Sequence, residues 1–258
     1  MKVVAIIQAR MLSSRLPGKV LLRAAGKSFI RHMIERVTRA KMINELWLAT
    51  SDDASNNPLV EEVSDLDINV FRGSEQDVLS RFHYIAQKSK ADWIVRLTGD
   101  CPAHDPVVID DVISFAIASH GMFEYVSNAL QPTYPDGLDV EVFTVNALEV
   151  AVREAVEASD KEHVTPLIHR YHHGGRGSKV GHYRAKADFS HIRLTLDEKE
   201  DYQVLKQVFE DLYPRDPLFS WLDVIALLTR KVDLLTKNAG IPRNEGYFSL
   251  FNRNSQDY

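Results

Sequence analysis

The chain has 258 residues, enough for one sizeable core, and its 26% charged and 45% hydrophobic content is that of an ordinary soluble protein. A net charge of -5 excludes a protein built chiefly to grip nucleic acid, which needs surplus Lys and Arg against phosphates. The lone cysteine, Cys101, excludes an internal disulfide framework and fits a reducing compartment.

Val3–Ile7 is a continuous apolar, β-branched run, which predicts a strand buried on both faces. The run is too short for a signal peptide, charge follows at once, and no stretch has the length of a membrane span. The expectation is a cytoplasmic protein without membrane insertion. In Phe29–Ala40, Ile30, Met33, Ile34 and Val37 are spaced for one helix face. Leu46–Thr50, Ile68–Phe71 and Trp93–Leu97 repeat the strand pattern. Between the last two, Ser74–Lys88 predicts a helix with Ser74 and Asp77 in capping-box positions, burying Val78, Phe82 and Ile85. Asp105 followed by Pro106 predicts a further helix start. Strand–helix alternation of this kind means an α/β fold, with a mainly parallel sheet covered by helices.

The pattern changes after about Tyr125. Tyr125–Asn128, Leu138–Phe143, Lys179–Arg184 and Ile192–Leu196 read as strands; Val145–Ala158, Asp201–Leu212 and Trp221–Thr229 read as helices. This half is expected to add antiparallel strands and an interface arm within about residues 125–190. No linker rich in Gly, Ser or Pro and no repeat divides the chain, so residues 1–258 are read as one domain. The tail Asn238–Tyr258 is polar with scattered aromatics, suited either to wrapping the body or to mobility.

The loop after the first strand, Ala9–Lys19, carries the functional argument. Arg10, Arg15 and Lys19 fall within ten residues, with Ser13, Ser14 and Gly18 among them. In an open α/β sheet, ligands bind beyond the carboxyl ends of strands. A polyphosphate there needs backbone N–H groups and cations able to form charge-assisted bonds. A Walker A loop is excluded, because that pattern needs glycine at Ser13 and Ser or Thr at Val20. Asp100 follows the strand Trp93–Leu97 after Thr98 and Gly99, which brings a carboxylate to the same sheet edge. A carboxylate with triphosphate oxygens is the usual way Mg²⁺ is held. Asp197 ends the run Ile192–Leu196 and is placed to join it, with Glu198 and Asp201 as alternatives.

The sequence IIQARMLSSRLPGKVL, followed by Gly26–Ile30, resembles the signature of cytidylyltransferases that activate acidic sugars. The similarity continues through Val95–Pro102, Asp136–Phe143, Glu162–Pro166, Arg193–Asp197 and Asn244–Tyr247, and so spans nearly the whole chain. By these motifs the chain is similar to the spore-coat polysaccharide type and to 3-deoxy-manno-octulosonate and acylneuraminate cytidylyltransferases. The resemblance implies a Rossmann-like, GT-A-like three-layer sandwich with a mainly parallel mixed sheet and an antiparallel arm. It implies transfer of CMP from CTP to a sugar, a 2-keto-3-deoxy sugar acid, with release of pyrophosphate, for surface polysaccharide biosynthesis. It also implies magnesium on Asp100 and Asp197, Arg72 beside the cytosine, and a homodimer. Arg10, Arg15, Lys19 and Asp100 are then the catalytic set. Ala9, Ser13, Ser14, Thr98 and Gly99 join the cations and Arg72 around the nucleotide.

For the sugar, Asp136, Asp139, Glu141 and His163 are candidates. Asp139 and Glu141 alternate with apolar residues, so a strand puts both acids on one face, either toward the sugar or toward solvent. His163 is read near a helix start with Asp160 as a cap, serving either the sugar or the fold. His169, His172 and His173 lack an HExxH pattern, which argues against zinc. Cys101 reads as a packed thiol and Gly174–Gly177 as a helix-ending turn. Two rivals remain: another transferase of this fold (one using a different nucleotide, or a glycosyltransferase) and a non-catalytic nucleotide-binding protein. The loop cations count against a glycosyltransferase, and retention of cations and aspartates counts against a scaffold.

Overall fold

The apolar N-terminal run becomes the central strand of a seven-stranded sheet. In the computed structural model, which describes residues 1–170 and 180–243, β1 is Val3–Gln8 and every residue through Ile7 is buried. A minor hairpin follows, β2 (Arg23–Ala24) against β3 (Lys27–Ser28). The remaining strands are β4 (Glu45–Ser51), β5 (Asn69–Gly73), β6 (Trp93–Thr98), β7 (Tyr125–Ser127), β8 (Glu141–Thr144) and β9 (Val180–His182). The main sheet has the order β5-β4-β1-β6-β8-β7-β9. The first four of these are mutually parallel; β8 runs antiparallel to both β6 and β7, and β9 is parallel to β7. This is the mainly parallel mixed sheet that the sequence predicts.

Helices α1 (Phe29–Val37), α2 (Asn57–Glu62), α3 (Val78–Ser89), α4 (Pro106–Ala118), α5 (Val145–Glu154), α6 (Ala158–His163) and α7 (Pro166–Arg170) enclose the sheet. Alternation along β1 divides the core. Val3, Ala5 and Ile7 pack with α1 and α4, whereas Val4 and Ile6 pack with α3, α5 and Ile168 of α7. A third core joins α8 (Lys199–Leu212), α9 (Trp221–Arg230) and α10 (Val232–Thr236) to Phe29 and Leu194. Arg36 of α1 is buried and, among the described residues, forms no ion pair; it donates to the carbonyls of His104, Pro217 and Phe219 at 2.8, 3.1 and 2.7 Å, binding this layer to the body. Asp105 accepts from the Val107 N–H at 2.8 Å and the Trp221 N–H at 2.9 Å, so one carboxylate serves the starts of α4 and α9. Among the described residues no helix is long and apolar enough to cross a membrane.

Several predicted boundaries move. Asp77, not Ser74, is the N-cap of α3, accepting from the Ser80 N–H. The stretch Val145–Ala158 breaks into α5 and α6, leaving His163 at a helix end, with Asp160 inside the helix and Glu157 at its N-cap. The strand expected from Leu138 begins at Glu141, so Asp139 lies outside it and the two acids do not share a strand face. Ile192–Leu196 makes only an isolated bridge, Asp136 to Arg193. Its N–H groups go instead to carbonyls on two loops: Leu194 to Asp136 at 2.6 Å and Leu196 to Asp100 at 2.7 Å. Lys179, His172, His173, Gly174–Gly177, Asn244–Tyr247 and most of the tail lie outside the described residues.

Candidate active site

The chain runs from β1 outward through β4 to β5, then returns to the other side of β1 as β6. The loops leaving β1 and β6 therefore part at the switch point of the sheet, the place where ligands bind in such folds. Their bases are nevertheless locked together. The Gly99 N–H donates to the Gln8 carbonyl at 2.8 Å, and a Cβ on Gly99 would stand 2.7 Å from that of Ala9. Glycine is thus required for this approach. The Ala9 N–H bonds Ala49 at 3.2 Å, and the Met11 N–H bonds the Asn56 side chain at 2.8 Å. Gly18, at φ +69°, turns the loop back, its N–H reaching the Met11 carbonyl at 2.9 Å. Ser14 lies on the exposed rim, and the Ser13 hydroxyl faces the Leu16 N–H at 3.5 Å.

This return places Lys19 at the switch point. Its ammonium lies 3.1 Å from Asp100 Oδ2 and 2.8 Å from Asp197 Oδ1. Arg15 reaches the same Asp197 oxygen at 3.2 Å and Glu198 at 3.1 Å. Burial opposes the charge on Lys19, but the two carboxylates outweigh it and raise its pKa. Burial likewise opposes ionisation of Asp100, yet Lys19, with hydrogen bonds from Thr98 and Cys101, pulls its pKa well below the usual range. Arg10 points elsewhere, 3.5 Å from Glu162 and 4.0 Å from Glu75, on the α3–α6 side. The loop thus divides its cations: two meet the aspartates and one guards the opposite wall.

A second layer of charge backs the aspartates. Arg193 donates to both oxygens of Asp201 at 2.9 Å and to Asp136 Oδ2 at 2.9 Å, and reaches Asp197 Oδ2 at 3.4 Å. Gly137, at φ +101°, lies so close to this segment that a Cβ would stand 2.5 Å from the Leu194 carbonyl carbon. Arg243 lies 3.7 Å from Asp136 and pairs with Asp139. Burial raises Asp139 to about 7 despite that arginine. Burial likewise leaves Asp136 raised, Arg243 and Arg193 only partly offsetting it.

Glu141 is not a solvated strand acid. Tyr125 and Thr165 hydroxyls donate to its Oε1, each at 2.7 Å, and Arg96 pairs with Oε2. Burial works against its charge, but Arg96 and these hydroxyls lower its pKa. His163 is partly buried, which lowers its pKa despite neighbouring Glu162. Arg72 braces the turn after β4, donating to the carbonyls of Ser51, Asp52 and Asp53 at 3.2, 3.2 and 2.9 Å and to Asn57 at 2.8 Å. The Cys101 thiol is buried and pushed up by that burial, which suits packing rather than nucleophilic use.

Arg193, Arg96 and Arg243 are site residues that the sequence reading does not single out, and Asp201, read there only as an alternative to Asp197, backs it instead. A charge inside the apolar run Ile192–Leu196 was the available signal for Arg193, and a charge inside Trp93–Leu97 the one for Arg96.

A parallel sheet with cations and carboxylates converging at its switch point defines a nucleotidyltransferase of the three-layer α/β class. The cytidylyltransferase family model matches residues 4–220, and the chain belongs to that family. It is 34% identical over 239 residues to the spore coat polysaccharide biosynthesis protein SpsF of Bacillus subtilis strain 168, covering 90% of this chain and 96% of that one. It is also 34% identical to the 3-deoxy-manno-octulosonate cytidylyltransferase of Geobacter sulfurreducens, over 122 residues that are 44% of this chain and 45% of the relative. Among solved structures, a cytidylyltransferase from Leptospira borgpetersenii superposes with a TM-score of 0.86 at 30% identity, covering 95% of this chain and 98% of the other.

Proposed function

We propose that this chain transfers CMP from CTP to a 2-keto-3-deoxy sugar acid, with release of pyrophosphate, in the cytoplasm and for surface polysaccharide biosynthesis. The convergence of Lys19 and Arg15 on Asp100 and Asp197 at the switch point carries this reading. The acceptor's anomeric oxygen attacks the α-phosphorus; an oxygen–phosphorus bond forms as the bond from that phosphorus to the pyrophosphate oxygen breaks. Such transfers depend on positioning and charge neutralisation more than on covalent help. Lys19 and Arg15 neutralise the charge that builds on pyrophosphate, and Arg10 adds its charge once the triphosphate draws it from Glu162 and Glu75. Ala9, Ser13, Ser14, Thr98 and Gly99 border the nucleotide, and Arg72 holds the turn beside the base.

Asp100 and Asp197 fit a magnesium ion. They offer hard oxygens that converge on one ammonium, at 3.1 and 2.8 Å, and Mg²⁺ takes one or two carboxylates plus phosphate oxygens and water. Among the described residues no group of three or more His, Cys, Asp or Glu is assembled, so the phosphates complete the set. When bound, the ion supplies Lewis-acid polarisation of the phosphates and acceptor hydroxyl. Asp136, Asp139, Glu141 and His163 form the acceptor side, with Glu141 held in place by Arg96, Tyr125 and Thr165. Residues 1–258 act as one domain, and the region of about residues 125–190 joins two copies.

The test is pyrophosphate release from CTP and Mg²⁺ with a panel of octulosonic and nonulosonic acids. Release that requires one such acid and CTP is expected. Equal rates with UTP would refute the cytosine assignment, and silence across the panel would refute the acceptor class. A monomer by light scattering at assay concentration would contradict the dimer.

A further inference from the structure

Asp201 has no exposure at all, and every oxygen of its carboxylate is engaged. Oδ1 accepts from Arg193 Nε and Asn238 Nδ2, each at 2.9 Å. Oδ2 accepts from Arg193 at 2.9 Å and from the backbone N–H groups of Asp197 and Glu198 at 3.0 and 2.9 Å. Those donors fill the roughly four lone-pair sites a carboxylate offers. Asp201 therefore has no oxygen left for an ion or a substrate, and it is not an alternative to Asp197.

We propose that Arg193 and Asp201 are positioning residues that hold Asp197 with its Oδ1 turned toward Lys19 and the triphosphate. The inference rests on the function proposed above. Asp197 ends an extended segment with no strand ladder beyond one bridge, so its direction must be set by other contacts. Asp201 takes its backbone N–H at 3.0 Å and fixes the chain. Arg193 faces its rear oxygen at 3.4 Å, leaving Oδ1 to Lys19 at 2.8 Å and Arg15 at 3.2 Å. The fork on Asp201 fixes the guanidinium in angle as well as distance, which a lysine point charge does not. The third arm of Arg193 holds Asp136, so the acceptor side and the metal side of the site share one guanidinium.

The test is a mutant cycle read by manganese binding to the complex with a non-hydrolysable CTP analogue, followed by electron paramagnetic resonance. Asp201→Asn puts an NH2 group where one carboxylate oxygen stood, so it cannot accept both arms of the Arg193 fork. It should weaken manganese binding by about 10–100-fold, the usual effect of removing a ligand's hydrogen-bond partner. Metal-free binding of the analogue should be unchanged. Introduced into Asp197→Asn, the same substitution should cost nothing further. Losses that add in the double variant, or wild-type manganese affinity with only a lowered Tm, would overturn the inference. Arg193→Lys keeps the charge and gives a second reading of the same cycle should Asp201→Asn fail to fold. A wild-type complex that takes up no manganese would defeat the metal role of Asp197 itself, a result distinct from additivity.

Discussion

Gly137→Ala is the substitution whose cost the structure sets most directly. Gly137 stands at φ +101°, and an added Cβ would meet the Leu194 carbonyl carbon at 2.5 Å and the Thr195 nitrogen at 2.6 Å. Holding a side chain at such a φ costs about 1–3 kcal/mol. Forcing a methyl against backbone that cannot rotate away costs about 1–3 kcal/mol more. The midpoint, on the order of 4 kcal/mol, lowers Tm by roughly 8–16 °C in a chain of this size. Gly26→Ala is the internal control. Gly26 has φ +83° but nothing within 4 Å of an added Cβ, so it reports the backbone cost alone. Relief of the clash at Gly137 must push Leu194–Asp197 away from Asp136 and Asp100, so turnover should fall as well. Thermal denaturation of both variants with pyrophosphate-release kinetics decides the matter. A Gly137→Ala protein melting no lower than Gly26→Ala would refute the reasoning.

Lys19→Ala should lower turnover by about 10²–10³-fold, the scale for losing one donor at a developing charge, with unchanged circular dichroism; wild-type turnover would remove the loop from the mechanism. Asp100→Asn should abolish activity or its magnesium dependence, and a normally active, magnesium-dependent variant would sink the metal role. Asp139, raised by burial to about 7, keeps a proton that the unfolded chain releases near pH ~4. Its contribution therefore destabilises the fold progressively as pH rises from that value through about 7. Asp139→Asn removes this slope, so its urea midpoint relative to wild type should be higher at pH 8 than at pH 5. A pH-independent difference would contradict the raised value.

The strands at the heart of the sheet were readable because burial on both faces leaves continuous apolar runs, as in Val3–Ile7 and Trp93–Leu97. The loop from Ala9 to Lys19 was readable because chain connectivity alone puts its cations at a strand end. The arrival of Asp100 at the same edge follows from the same logic applied to β6, whereas Asp197 comes there at the end of an extended segment that is not a strand. What failed was whatever depends on partners distant in sequence. Ile192–Leu196 has the composition of a strand, but its N–H groups are taken by loop carbonyls, and composition does not distinguish those acceptors from a neighbouring ladder. Glu141 was open between sugar and solvent because its three donors come from Arg96, Tyr125 and Thr165. The break after Glu154 was hidden because Ala155–Glu157 carries no Gly or Pro to mark it.

The bond from Lys19 to Asp197 spans 178 residues. At about 5–20 residues per second, a ribosome needs roughly 9–36 s to deliver the second partner after the first. The nascent N-terminal half therefore waits with Asp100 but not Asp197 to answer Lys19, while β1, β4 and β5 can already pair. The site is complete only once Asp197 and α8 have been made, so a chain cut short before them should carry most of the sheet's strands but no activity.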